Sequence, residues 1–131
     1  MFGIFYLFSD WALLVARIVL AIVFLAHGFP KLKNLKGTGE WMASVGFKPG
    51  VFWALVAGVA EFFGGILLLG GFCTQTVAFV LTLQFIVIVI WKIVARHKFV
   101  GDLELDLVLL ALLLMLLTSG GGVFSFDRWA F

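Results

Sequence analysis

The sequence predicts an all-α integral membrane protein, a four-transmembrane-helix bundle with an interfacial half-helix in its first loop. Three observations predict it. Of the 131 residues 64% are hydrophobic and only 12% charged, about half the charge fraction of a soluble domain, which is roughly 25%. Four apolar stretches each approach the ~20 residues that cross the hydrocarbon core. Glycine or proline punctuates each joint between them. The chain is short enough to be one domain, a single four-helix membrane domain over 1–131.

Span one covers about 10–29, with Ser9 and Asp10 as capping candidates and Gly28 and Pro30 at its end. The preceding MFGIFYLFSD has no basic side chain, so this segment is expected to be a retained helix rather than a signal peptide. Loop one, residues 30–50, contains GEWMASVGF, a short amphipathic stretch expected to lie in the interface with Trp41 and Met42 toward lipid. Span two covers about 51–70, between Pro49-Gly50 and Gly70-Gly71. Span three runs from Thr74 to about 95, and span four over about 102–119, ending in Gly120-Gly121-Gly122.

Seven of the nine basic residues (Lys31, Lys33, Lys36, Lys48, Lys92, Arg96, Lys98) fall in or beside loops one and three. By the positive-inside rule, loops 30–50 and 96–101 are expected to be cytoplasmic and both termini external. Trp11 and Trp129 then mark one interface, and Trp41, Trp53 and Trp91 the other. The net charge of +2 gives no basic field for nucleic acid. A single cysteine, Cys73, allows no internal disulfide and no CxxC chemistry, and is expected to be a small packing residue. Two histidines offer no dense metal site, and no metal is expected.

Within span one Arg17 stands among Leu, Val and Ile. A charge there costs roughly 2.5–3.5 kcal/mol on insertion scales, so it should face protein and have a partner. Counting residues from the span ends puts Arg17, Glu61 and Gln84 each about 15–18 Å deep. Ala57, Ala60, Gly64 and Gly65 surround Glu61 with small side chains that admit a neighbouring helix. Arg17–Glu61 is therefore the expected pair, with Gln84 a third member, as a ligand site or as a structural pair. His27, Lys92 and Glu104 form an expected second polar layer nearer the cytoplasmic end. There Glu104 and Asp106, two apart at the start of span four, face different ways, and acidic groups also suit the helix dipole.

Several stretches together resemble the DoxX family of small four-helix membrane proteins: AHGFPKLKN at 26–34, AEFFGGILLLGGFCTQ at 60–75, DLELDLVLLAL opening span four, and GGGVFSFDR at 120–128. The resemblance covers nearly the whole chain in order. It points to Arg17, His27, Gly28, Lys31, Glu61, Gly64, Gly65 and Glu104, and to a C-terminal motif of Ser125 and Asp127. Residues 120–122 are Gly-Gly-Gly where the family usually has Gly-Pro-Gly. Some members of the family resemble the small subunit of a thiosulfate:quinone oxidoreductase. The resemblance thus implies an inner (cytoplasmic) membrane protein that serves a redox complex, with an oxidoreductase partner subunit and a quinone in the bundle.

The residues themselves provide no electron carrier, so no intrinsic cofactor is expected, and chemistry would need a bound quinone or a partner. Lipid is the expected surroundings, and a homo-oligomer is open. The alternatives are a structural, lipid-contacting scaffold and a small transporter or channel. Asp127 or Arg128 is a candidate to answer a charge at the bundle mouth, such as Asp10.

Overall fold

A computed structural model describes residues 2–120 together with Gly122 and Asp127. Five α-helices follow a short 3-10 helix at Phe2–Phe8: α1 (Ser9–Lys33), α2 (Leu35–Ser44), α3 (Gly50–Gly70), α4 (Thr74–Val94) and α5 (Glu104–Ser119). The helices α1, α3 and α4 are long and apolar enough to span a membrane, and α5, at 16 residues, is a shorter fourth.

The helix boundaries differ from the expected ones in three places. Ser9 and Asp10 do not cap α1, because the 3-10 turn leads directly into it and Phe8 occupies the capping position. Pro30 does not end α1, which continues to Lys33 and closes with the Asn34 N–H donating to the Pro30 carbonyl (3.0 Å). A proline near a helix end removes one hydrogen bond, to the carbonyl four residues back at Ala26. The last turn of α1 is held instead by packing of Lys31 and Leu32 on Gly58 of α3. At α5, Val100 and Gly101 leave helical geometry, so the helix starts at Glu104 rather than 102.

Two antiparallel pairs, α1 with α3 and α4 with α5, build the bundle. Lipid chains are as apolar as leucine, so association in a bilayer depends on close packing rather than on apolar burial. Glycines provide it at the first pair. Gly28 lies against Phe62, Gly65 against Leu25 and Gly58 against Leu32, so facing positions of α1 and α3 sum to 90. A Cβ at Gly28 would sit 2.6 Å from the Phe62 backbone nitrogen. In this register α1 ends opposite the second turn of α3.

The vacant length beside the start of α3 is taken by α2. A Cβ at Gly50 would overlap the Gly39 carbonyl oxygen, and one at Gly39 would come within 2.8 Å of the Val51 nitrogen. The expected half-helix is thus present, starting at Leu35 with the Asn34 side chain accepting from Gly37 N–H. Trp41 and Met42, expected to face lipid, also line an open cavity: Trp41 stays exposed on one side and meets Trp91 of α4 edge-on at 5.9 Å on the other.

The α3–α4 corner is tight. Phe72 N–H donates to Leu67 O (2.8 Å) and left-handed Gly71 N–H to Leu68 O (3.1 Å), a Schellman closure. Cys73 follows, also left-handed and exposed rather than packed in the core. The core is a single apolar layer of Leu20, Ala21, Phe24, Leu68, Val77, Ala78, Leu81, Phe85, Leu109, Leu113 and Leu116.

Candidate functional site

The apolar layer separates two polar regions. On the α3–α4 corner side lies Arg17, 2% exposed. The α1–α3 register sets Arg17 opposite position 73 and Glu61 opposite position 29. The two are therefore about twelve residues, roughly 18 Å, apart along the helices. No ion pair joins Arg17 to Glu61, which corrects the expected pairing. Counting depth from span ends assumed that helices one and two end level, and they do not.

Arg17 lies instead within the electrostatic reach of Asp127 at the α3–α4 corner. The Asp127 carboxylate accepts from Cys73 N–H (2.6 Å) and Thr74 N–H (2.7 Å), the first donors of α4, and its charge acts on Arg17. An anionic side chain on a helix N-terminus satisfies donors that have no intrahelical partner. Asp127 thus serves the α4 terminus. Ser125, Arg128 and Trp129, singled out in the sequence, lie outside the described residues.

On the other side of the layer the two helix pairs diverge around a cavity of about 690 Å³. Its floor is Glu61, Phe85 and Leu109, and its walls come from α1, α2, α4 and α5. Glu61, 1% exposed, is held by Lys31, whose Nζ donates to both carboxylate oxygens at 2.8 Å. Gln84 Nε2 donates to Oε1 at 2.7 Å. Of the expected trio the structure brings together Glu61 and Gln84, with Lys31 as the cation. Lys31 is among the residues to which the family resemblance points, though not as the partner of Glu61; it stands one turn past His27, on a helix that Pro30 does not end.

The second pair on the cavity wall is Lys92 of α4 with Asp106 of α5, and Lys92 Nζ also donates to the Asp102 carbonyl at 2.7 Å. Glu104, the expected partner layer member, points away: it is exposed and its Oε1 accepts from Gly101 N–H at 3.0 Å. Residues two apart on a helix face different ways, and Asp106 is the inward one. His27 lines the rim, and its Nδ1 contacts the Val23 carbonyl at 2.9 Å. A carbonyl only accepts, so Nδ1 is the donor in this contact, and in a neutral ring Nε2 is then an acceptor.

The chemical capacity of the site follows from donor counts. Each ammonium has three N–H groups. Lys31 and Lys92 each use two on the bonds above, leaving one apiece. The cavity thus offers ammonium donors and an imidazole acceptor beside two neutralised carboxylates. Beyond Lys31 and Gln84 it adjoins a groove of about 340 Å³ between α3 and α4, otherwise lined by apolar side chains.

The fold and site define a small helical membrane protein with a polar cavity embedded in its bundle. The DoxX family model matches residues 12–94, and the chain belongs to the DoxX family. It is 29% identical over 90% of its length to a Bacillus subtilis protein named "Putative oxidoreductase CatD", covering 86% of that chain. Two Escherichia coli proteins, "Inner membrane protein YphA" and "Inner membrane protein YqjF", are 39% and 40% identical over about half of each chain, 50% and 53% of this one. No solved structure matches it.

Proposed function

We propose that this chain is the membrane subunit of a quinone-linked oxidoreductase and binds the quinone headgroup in the cavity between the helix pairs. The observation that carries the reading is the Lys31–Glu61–Gln84 cluster at the junction of a polar cavity with an apolar groove. A quinone has two carbonyl acceptors on an apolar ring, and a largely apolar pocket with a few placed polar groups suits it. The remaining N–H groups of Lys31 and Lys92 donate to a carbonyl oxygen. His27 Nε2 accepts from a quinol hydroxyl. The oxidoreductase name of one relative supports the class of reaction. Electrons would come from a partner subunit docked on the basic loops, for which the excess of lysine and arginine supports a cytoplasmic location.

One observation favours a structural scaffold: each cavity cation already has its carboxylate. A single test separates the two readings. Purified protein in nanodiscs is titrated with a quinone bearing one isoprene unit, read by tryptophan quenching. Saturable binding that weakens at least tenfold in Lys31→Met supports the quinone site. No saturable binding to the wild-type chain would sink it and leave the scaffold. Transport through one chain is disfavoured by the sealed layer of Leu20, Phe24, Leu68, Leu81, Leu113 and Leu116 between the polar regions.

A further inference from the structure

The groove between α3 and α4 has a shape that the head cavity does not require. On α3 it follows Trp53, Val56, Ala57 and Ala60, spaced i, i+3, i+4, i+7 on one face. On α4 it follows Val80, Leu83, Gln84 and Val87, again on one face. The walls are therefore roughly 10 Å long, at 1.5 Å per residue. The two helices meet closely farther along, where a Cβ at Gly64 would lie 3.3 Å from Val77 and Leu81 side-chain carbons. Toward Ala57 they stand apart, because Ala57 and Ala60 are too small to bridge them. Val80, Leu83 and Val87 are about half exposed on the surface that faces lipid. Lys31 and Gln84, the polar side chains on the groove, both bond to Glu61. The groove thus joins the lipid-facing surface to the floor of the polar cavity.

We infer that this groove is the lateral entrance and tail seat for the isoprenoid chain of a membrane quinone, with Ala57 and Ala60 keeping it open. The inference rests on the quinone reading above. A branched apolar chain fits the groove; a headgroup would pass along it to reach Lys31. Lipid chains are as apolar as the groove walls, so seating the tail there adds little affinity by burial alone. The groove acts by admitting the ligand from the bilayer and fixing which way the tail leaves. Its continuity with the cavity distinguishes it from an annular lipid contact, which would need no polar floor.

Two variants narrow the groove from opposite walls: Ala60→Leu on α3 and Leu83→Trp on α4, the latter at a half-exposed site where folding tolerates bulk. Both are assayed in nanodiscs with a one-isoprene quinone and an eight-isoprene quinone. The expected result is at least a tenfold loss of affinity for the long-tailed ligand in both variants, with the short-tailed one within twofold of wild type. A long-tailed quinone carrying a diazirine on its first isoprene unit is expected to label α3 and α4. Equal loss for both ligands, no loss for either, or labelling confined to α1 and α5 would overturn the inference. Labelling that excess phospholipid abolishes would overturn it in favour of an ordinary lipid contact. Failure of the wild-type chain to bind the short-tailed ligand is a different outcome, and counts against the quinone site itself.

Discussion

Glu61 is buried and held by three hydrogen bonds. An ionised carboxylate only accepts, and three N–H bonds from Lys31 and Gln84 satisfy most of its lone pairs. Taking one partner from a buried pair leaves an uncompensated charge, which costs more than the pair contributes. Lys31 is a quarter exposed and Gln84 remains, so Lys31→Met is expected to destabilise by about 2–3 kcal/mol, below the cost for a fully buried pair. Adding Glu61→Gln should recover part of that loss, since no charge is then stranded. Unfolding of the two variants in mixed micelles checks the sign: a double variant less stable than Lys31→Met would contradict the pairing. Arg17 belongs to another neighbourhood. Arg17→Leu combined with Glu61→Gln should give additive losses within about 0.5 kcal/mol, as for sites beyond 7–10 Å.

At the scale of elements, the α1–α3 contact sets everything else. Its close approach at Gly28 is backbone against backbone, so a side chain there cannot be absorbed by a rotamer change. Gly28→Val is expected to lower stability by about 1–3 kcal/mol, the usual cost of overpacking. Ile22→Val, on the exposed face of the same helix, should change it by under about 0.5 kcal/mol. Thermal unfolding of the detergent-solubilised chain distinguishes them. The apolar sequence of α1 announces a span, but Pro30 does not mark its end. The hydrogen bond lost at Pro30 is offset by the tertiary contact of Lys31 and Leu32 on Gly58, which the sequence does not display. Gly28, Gly58 and Gly65 were visible in sequence as small residues; their partners were not.

At the scale of the whole molecule, two polar regions are separated by a sealed apolar layer. Asp127, far along the chain, closes the corner end by capping α4. Asp127→Ala is expected to cost about 1–2 kcal/mol through the lost cap, while leaving quinone affinity in the cavity within twofold. A matching loss of ligand binding would show that the two ends are coupled through the core. The sequence marks Asp127 through the family resemblance and as a candidate charge at the bundle mouth, but not as a cap, because a capping carboxylate 53 residues from its amide donor leaves no local signature.

The sequence alone determined the class: apolar length, low charge and Gly/Pro joints dictate membrane helices whatever their partners, because a bilayer forces each span to satisfy its own backbone. It also marked Glu61 and Gln84, since a polar side chain in such a stretch must face protein. Which cation meets Glu61 was decided only by tertiary structure. That choice depends on how far one helix slides along another: in the observed register Lys31 lies level with Glu61, and a slide of about twelve residues would be needed to bring Arg17 there instead. The slide is set by where glycine backbones touch and by the short helix α2 filling the space that α1 leaves, neither of which has a period in the sequence.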